Sequence, residues 1–245
     1  MTSLAEKLAA QTGHKITDEK LKGSIEDTNK IRAALRKIDL LRRERPPKIG
    51  GYDFIKLNHH SFYCDPEVAI VQLDNLYQQL QKGKSPFTGK EPRILLAGHV
   101  VAVGDYVVPW LIEDSGGVIV TEQLDEGMRQ CAWNVKIDGD LINGLAETYY
   151  SERTPPSIFQ PAWEKRIEAI KKLIADFDID GVVWYQLTFD EIYSLESNVV
   201  AEAMENMNIP FLKLESSYEY AREAMGPLTT RVESFIESIK QKRSR

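Results

Sequence analysis

Hydrophobic residues recur with two different spacings along the 245-residue chain. Up to about residue 90 they are separated by three or four positions, which is typical of amphipathic helices. Beyond that point short apolar runs alternate with amphipathic stretches, which indicates strands alternating with helices. We therefore predict a helical arm and linker over residues 1–90 and an α/β domain over residues 91–245.

The predicted arm contains three helices. A short one covers Ser3–Gln11, and a long one begins after its cap, Thr17, and ends before the PP pair. Its last turns carry the basic cluster RKIDLLRRER, which suits the negative end of a helix and is expected to be solvated. The segment Pro46–Cys64 is expected to be a loop, and a third helix begins after Asp65 and runs to about Gln81.

Four apolar runs in the second region predict strands: RILLAG, GVIVTEQ, DGVVWYQL and IPFLKLE. Because helical stretches separate them, the strands are expected to run parallel, as a Rossmann- or flavodoxin-like sheet with helices on both faces. The predicted fold class is therefore α/β, with the long-helix arm preceding the sheet. In such sheets ligands bind beyond the carboxyl ends of the strands.

Polar residues follow the first three predicted strands. His99 comes directly after the first strand and is either a ligand or proton-transfer group or a structural, hydrogen-bonded imidazole. Arg129 follows the second strand in TEQLDEGMRQ, where it is suited to bind an anionic substrate group or to pair with carboxylates of its own loop. Asp190, Tyr193 and Glu196 follow the third strand and suit acid–base chemistry or a metal, although a carboxylate there is also an ordinary helix cap.

Several classes of function are disfavoured. The turn AGHVVAVGD lacks the GxGxxG fingerprint, and the chain has no phosphate loop, nucleophile elbow, HExxH motif or zinc pattern. A net charge of −6 argues against nucleic acid as a partner. No apolar run suits a membrane span or a secretory signal, so a cytoplasmic location is expected. The two cysteines, Cys64 and Cys131, are expected to be reduced, partly buried thiols.

Several longer phrases, taken in order, resemble one known family. LAAQTGHKITDEKLKGSIEDTNKIRAALRKI is similar to the helical segment that joins two α/β domains in the 2-hydroxyacyl-CoA dehydratase/benzoyl-CoA reductase family. RILLAG, LIEDSGGVIV and DEGMR are similar to its strand–helix–strand unit and the Gly/Arg turn after it. DGVVWYQLTFDEIYSLES, NIPFLKLESSYE and LTTRVESFIE are similar to its C-terminal block. The resemblance runs from about Leu4 to Glu237.

This resemblance implies a two-subunit enzyme in which each subunit usually holds a [4Fe–4S] cluster through three cysteines. A separate ATP-hydrolysing iron–sulfur activator supplies one electron, and ketyl radical chemistry removes water from a 2-hydroxyacyl-CoA or reduces an aromatic acyl-CoA. The implied partners are a second dehydratase or reductase subunit or an N-terminal half, the activator, and an acyl-CoA substrate. Soft thiolate ligands are what such a cluster needs.

The sequence departs from the family pattern in two ways. Family subunits carry another α/β domain, with two cysteine ligands, before the long helix, whereas this chain starts where that domain would end. Aligning TFDEIYSLE with the family's KFCDPY-type phrase places Asp190 at the third cysteine position, and Asp125 stands where a cysteine often precedes the Gly/Arg turn. Cys64 and Cys131 fall at neither place. We therefore expect the [4Fe–4S] ligands to be largely absent from this chain, since carboxylates replace thiolates poorly in a cubane cluster.

The leading hypothesis is a subunit or half-subunit of an acyl-CoA dehydratase- or reductase-type complex that forms one wall of the acyl-CoA site. Its catalytic candidates are His99, Arg129, Tyr193 and Glu196, beside the two aspartates at the implied cofactor positions. The alternatives are a non-catalytic binding or assembly protein that keeps the fold without the cluster, and an unrelated metal hydrolase. The hydrolase would need several carboxylates to converge on one point, chosen from Glu122, Asp125, Asp190 and Glu215.

One structural consequence separates the first two hypotheses. A missing domain is expected to leave an exposed apolar patch on the long helix and on the segment after it. The candidates for that patch are Leu35, Ile38, Leu41, Phe54, Ile55 and Phe62. If these residues are covered within the chain, the half-subunit form of the hypothesis is weakened.

Overall fold

Four parallel strands form the centre of the protein, which a computed structural model describes over residues 2–155, 163–217 and 222–243. The strands are β1 (Arg93–Gly98), β2 (Val118–Gln123), β3 (Gly181–Leu187) and β4 (Phe211–Ser216). They lie in the order β2-β1-β3-β4. Each predicted apolar run is a strand, because a parallel strand covered on both faces needs apolar side chains on both.

The N-terminal part of the chain contains α1 (Thr2–Thr12), α2 (Asp18–Leu40), α3 (Gly51–Ser61) and α4 (Pro66–Lys82). Thr17 caps α2 by accepting the Lys20 N–H at 3.3 Å, and Asp65 caps α4, as the sequence predicts. The predicted long helix continues beyond α2 only as a 3-10 turn, Leu41–Arg43.

Helices cover both faces of the sheet, which confirms the predicted α/β class. The helices after β1 are α5 (Val107–Asp114), α6 (Met128–Cys131), α7 (Leu141–Ala146), α8 (Trp163–Phe177), α9 (Glu191–Asn206) and α10 (Arg222–Arg243), with a π-helical turn at Glu147–Glu152. α5 and α10 pack on one face of the sheet, and α8 and α9 on the other. Within the described residues, no helix combines the length and apolar composition needed to cross a bilayer.

Strand order places a switch point between β1 and β3. The chain passes outward from β1 to β2 and then returns to the opposite side of β1 for β3 and β4. In open α/β sheets such a reversal leaves a crevice beyond the carboxyl ends of the two central strands. The segments after Gly98 and Leu187 therefore meet at the edge where ligands are expected.

The expectation of a loop over Pro46–Cys64 is wrong, because α3 occupies its middle. Gly50 takes the N-cap position without a side-chain cap, and the Glu113 carboxylate accepts the Gly51 N–H at 2.7 Å. Burial raises the pKa of Glu113 to about 7. The acceptor lies 62 positions away in sequence, so the local sequence carries no side-chain start signal for this helix.

The prediction of an exposed apolar patch is wrong for five of the six residues named. Only Phe62 remains at the surface, with 50% exposure. The buried members are Leu35, Ile38, Leu41, Phe54 and Ile55. α2, α3 and α4 contribute most of one apolar cluster, which also includes Cys131. The long helix is thus covered by the chain itself, which weakens the half-subunit form of the hypothesis.

The expectation that the basic cluster is solvated is wrong for Arg42. Its guanidinium is fully buried, donates to Glu122 at 2.6 Å and also bonds to Asp39. It lies 3.8 Å from the centre of the Phe54 ring. By contrast, Arg43 and Arg45 are exposed, so the cluster divides between interior and surface.

Candidate functional site

His99 and Asp190 meet at the switch point between β1 and β3. His99 follows β1 and places its Nε2 3.3 Å from the Asp190 carboxylate, while its Nδ1 lies 3.0 Å from the Val100 carbonyl oxygen. Gly98, directly before His99, allows the backbones of β1 and β3 to lie close together. A Cβ at this position would lie 2.2 Å from the Tyr185 carbonyl oxygen, and the φ of Gly98 is +112°. Both ring nitrogens of His99 therefore face oxygen atoms, and the orientation of the ring is fixed.

Tyr193 connects this pair to the loop after β2. Its ring packs edge-on against His99, with centroids 4.9 Å apart, and its hydroxyl donates to Asp125. Asp190 accepts the Tyr193 N–H at 3.2 Å and so caps α9 as well. Asp190 thus caps the helix and contacts His99 at the same time, because the two oxygens of one carboxylate can serve both contacts.

Two arginines flank the other oxygen of Asp125. Arg129 and Arg166 each place a guanidinium nitrogen 3.4 Å from Asp125 Oδ1, and Arg129 also donates to the Asp125 carbonyl at 3.1 Å. Arg129 therefore pairs with its own loop, as one of the two interpretations of the sequence predicts. Burial lowers the pKa of Arg129 to about 10, which leaves it charged near neutral pH.

Arg166 and Glu196 form the buried floor of the site. Both side chains are fully buried, and Arg166 Nε donates to Glu196 at 2.6 Å. Burial raises the pKa of Glu196, and Arg166 opposes that rise. Arg166 also donates to the Pro155 carbonyl at 3.2 Å. Its NH2 nitrogen has no hydrogen-bond partner among the residues that the structure describes.

All six predicted site residues belong to one connected set of contacts, which we call the strand-end network. Its members are the six predicted residues and Arg166: His99, Asp125, Arg129, Asp190, Tyr193, Glu196 and Arg166. The side chains of His99, Asp125 and Asp190 reach the surface, with Asp125 29% exposed. Those of Arg129, Arg166 and Glu196 lie behind them. The arrangement can therefore present hydrogen-bonding groups to a ligand from a rigid, charged support.

The sequence interpretation missed Arg166. It lies on α8 in line with Ile170, Ile174 and Phe177, which are buried against the sheet. An arginine within an apolar helical stripe needs a buried partner, since an unpaired buried charge is costly. That irregularity in the stripe is the signal that could have identified Arg166, although not its partner.

Glu126 ties the loops after β1 and β2 together. Its carboxyl group accepts the Val101 N–H at 2.7 Å. Burial raises the pKa of Glu126 to about 8. The group is therefore largely protonated near neutral pH and adds little negative charge beside the network.

Apolar side chains border the network. Phe189 precedes Asp190 with φ at +67° and is 97% exposed. Ile192 and Leu195, on the first turns of α9, are also exposed. A left-handed backbone is unfavourable for a bulky residue and persists where the surroundings fix it, often at functional sites. Exposed apolar side chains thus lie beside members of the network in sequence.

A family model described as the D-component of 2-hydroxyglutaryl-CoA dehydratase matches residues 1–239 of the chain. The chain belongs to this family. The match covers the N-terminal helices and the sheet together, so it includes every member of the strand-end network.

Two relatives are similar to this chain along nearly its whole length. "Putative dehydratase subunit YjiM" of Escherichia coli is 28% identical over 245 residues, covering 98% of this chain and 62% of that protein. The beta subunit of (R)-2-hydroxyglutaryl-CoA dehydratase from Acidaminococcus fermentans is 23% identical over 237 residues, covering 93% of this chain and 59% of that subunit. The chain thus spans about three fifths of the length of these relatives.

The donors in this chain do not fit a [4Fe–4S] cluster. The strand-end network supplies carboxylate, imidazole, phenol and guanidinium groups, and thiolates are the ligands that such a cluster needs. The chain has two cysteines in all, and Cys131 lies in the apolar cluster under α2 and α3, 4.0 Å from Asn58. Burial raises the pKa of Cys131 to about 11. Cys64 packs against the same cluster.

The carboxylates that a metal hydrolase would need do not converge. Glu122 bonds to Arg42, and Glu215 bonds to Gln186 at 2.9 Å and lies 3.3 Å from Lys213. In the described part of the chain, no three histidine, cysteine or carboxylate side chains are grouped as a metal would require. The convergence on which the metal-hydrolase hypothesis depends is therefore not found among these residues.

Proposed function

We propose that the chain is a subunit of a 2-hydroxyacyl-CoA dehydratase-type complex and that the strand-end network forms one wall of its acyl-CoA site. The observation that carries this proposal is the meeting of His99, Asp190 and Tyr193 at the switch point of the sheet, where folds of this class bind ligands. Membership of the D-component family supports it. The dehydratase names of both relatives favour dehydration over reduction of an aromatic acyl-CoA.

The geometry supports separate roles for the two tiers of the network. His99, Asp125 and Asp190 bring polar groups to the crevice, and the buried Tyr193 holds Asp125 in place through its hydroxyl. Arg129 and Arg166 hold Asp125 from behind, so that its carboxylate keeps one position. Phe189, Ile192 and Leu195 provide apolar surface for the hydrocarbon part of a ligand. Polar groups that are placed in advance favour a ligand because little reorganisation accompanies binding.

Electron transfer in this proposal depends on partner chains. Because the donors of this chain do not fit a [4Fe–4S] cluster, a second subunit or an N-terminal half supplies the cluster, and an ATP-dependent iron–sulfur activator supplies the electron. We place this assembly in the cytoplasm. The apolar faces of α2, α3 and α4 cover one another. This packing favours a subunit that contributes one wall of the site, rather than a half-subunit whose missing domain would leave that face exposed.

The alternative is a binding or assembly protein of the same fold without turnover. The observation that favours it is the state of Asp125 and Asp190, which stand at the implied cysteine positions. Both carboxylates already have partners. Asp125 contacts Tyr193 and two arginines, and Asp190 contacts His99 and caps α9. Loss of turnover with retained ligand binding would distinguish this alternative.

Titration calorimetry with 2-hydroxyglutaryl-CoA, on the chain alone and co-purified with its partner subunit, tests the proposal. We expect saturable binding that Tyr193→Phe weakens by about three- to tenfold, since one hydrogen bond is lost. Tyr150→Phe alters an exposed tyrosine outside the network and should leave binding unchanged. Absence of binding in both preparations, or equal effects of the two variants, would contradict the proposal.

Anaerobic iron–sulfur reconstitution tests the assignment of the cluster to a partner. The isolated chain should retain no stoichiometric iron and sulfide after desalting, whereas the complex with its partner should retain both. Stoichiometric binding to the chain alone, abolished by Cys131→Ser, would overturn the assignment.

A further inference from the structure

We propose that a cavity between α2, β2 and α8 binds a small organic carboxylate with an apolar body. The cavity has a volume of about 490 Å³, which is in the range of small-molecule sites. It lies beside the outer edge of the sheet, and Arg129 stands in the wall between it and the strand-end network. The inference does not depend on the proposed function.

Apolar side chains make up much of the cavity wall. Met128, Trp133, Leu173 and Phe177 line it, and Leu40 forms part of its rim. Removing an apolar ligand body from water against such a wall is favourable in proportion to the area covered. The wall therefore selects for a hydrocarbon or aromatic portion.

Each of the three carboxylates that line the cavity in the described structure is ion-paired, and three cations face them in all. Asp39 and Glu122 share the one cation of the buried Arg42. Asp176 lies 2.7 Å from Lys172 and 3.2 Å from Arg43, so that two cations share one anion. A bound anion thus meets little uncompensated negative charge at this wall.

Arg36 supplies a cation without a counter-charge. It lines the cavity, donates to the Cys131 carbonyl and donates to the Asn134 side chain at 2.8 Å. Among the residues described, no carboxylate lies within 4.0 Å of its guanidinium. An arginine has five N–H donors, and these two bonds leave three for a ligand. They also hold the guanidinium in place.

One unpaired, half-buried cation matches a singly charged anion. A carboxylate accepts two hydrogen bonds from a guanidinium in a planar arrangement, and such charge-assisted bonds are stronger than neutral ones. A carboxylic acid with a hydrocarbon or aromatic body satisfies both Arg36 and the apolar wall.

Titration calorimetry with octanoate, 1-octanol and octylamine on the full chain tests this site. We expect octanoate to bind with one-to-one stoichiometry, at least tenfold more tightly than either uncharged octanol or cationic octylamine. This ratio corresponds to about one charge-assisted hydrogen bond. Quenching or a shift of tryptophan fluorescence should accompany binding, because Trp133 lines the cavity.

Two variants localise the binding. Arg36→Gln should weaken the binding of octanoate by about tenfold or more. Lys37→Gln, the control, also removes one positive charge, from an exposed position on α2, and should leave octanoate binding unchanged. Ala169→Phe fills the cavity from α8 and should abolish binding without altering Arg36. If Arg36→Gln fails to fold, Ala169→Phe decides the question.

Absence of saturable octanoate binding would overturn the inference. So would equal affinity for octylamine, or unchanged octanoate affinity in Ala169→Phe. Competition by octanoyl-CoA separates this inference from the proposed function: binding of the thioester without binding of octanoate overturns only the cavity assignment. Binding of octanoate without binding of any CoA thioester supports the cavity and counts against the proposed acyl-CoA site.

Discussion

Two arginines, Arg42 and Arg166, are both fully buried and differ in their surroundings. Arg42 bonds to Asp39 and Glu122 and lies over Phe54. It joins the turn after α2 to the edge strand β2, and its partner Glu122 is fully buried. All three nitrogens of its guanidinium are engaged.

Arg166 is supported less completely, and one of its partners reaches the surface. Its second carboxylate, Asp125, is 29% exposed and is shared with Arg129 and Tyr193. One of its nitrogens is without a partner within the described ranges. The difference indicates that Arg42 mainly contributes cohesion, whereas Arg166 also supports the partly exposed Asp125.

Arg42→Met should have the largest effect on stability. It leaves two carboxylates without their cation, and breaking a buried ion pair costs about 3–5 kcal/mol. Urea unfolding measures the loss. Arg45→Met removes an exposed pair with Asp178 and should cost less than about 1 kcal/mol. Equal losses in the two variants would contradict the assignment of Arg42 to the core.

Arg166→Met should destabilise the fold by about 2–4 kcal/mol, because Glu196 then lacks its buried partner. It should also weaken binding of 2-hydroxyglutaryl-CoA by more than about tenfold, since Asp125 loses a support. Adding Glu196→Gln should recover part of the stability but not the binding. Recovery of both would show that Arg166 acts only in folding.

Glu126 should make stability depend on pH. Its folded pKa of about 8 is above the ordinary glutamate pKa of 4.5, so the folded state holds the proton more tightly than the unfolded state. Its contribution is fully present below a pH of about 4.5 and is lost as the pH rises towards about 8. We expect a decline in unfolding free energy on the order of 2 kcal/mol between about pH 6 and about pH 7.5, because each pH unit in that range is worth about 1.4 kcal/mol. Glu126→Gln should flatten the curve, and an unchanged slope would refute the burial of an ionisable group there.

Asp190→Asn should have the smallest effect on stability. Asparagine caps a helix about as well as aspartate, so the change in unfolding free energy should stay within about 0.5 kcal/mol, while Asp190→Ala should cost about 1 kcal/mol. Circular dichroism during urea unfolding measures both. The asparagine variant removes the charge beside His99 and should therefore alter ligand binding without altering α9. A large loss of stability would mean that the His99 contact, and not the cap, dominates.

Local patterns were sufficient to predict the sheet and the crevice. The runs around Leu95, Ile119, Val183 and Leu214 are apolar enough to identify four strands, and the helices between them imply that the strands run parallel. The same reasoning placed His99 and Asp190 at the carboxyl ends of two strands. The structure shows that these strands are neighbours and that the two side chains lie 3.3 Å apart.

Features that depend on distant residues could not be predicted. α3 begins without a local cap because Glu113 supplies the acceptor. The burial of Arg42 and Arg166 depends on carboxylates 80 and 30 positions away, respectively. The covering of Leu35 and Ile38 depends on how α2, α3 and α4 pack together. Periodicity shows that a face is apolar, but it does not show which element covers it.

Hydrogen–deuterium exchange of the chain, with and without 2-hydroxyglutaryl-CoA, tests the central claim most directly. If the strand-end network is the acyl-CoA wall, the ligand should slow exchange in residues 99–101, 125–129 and 190–197 and leave α4 unchanged. Protection confined to other parts of the chain, or no protection at a concentration that saturates binding, would contradict the account.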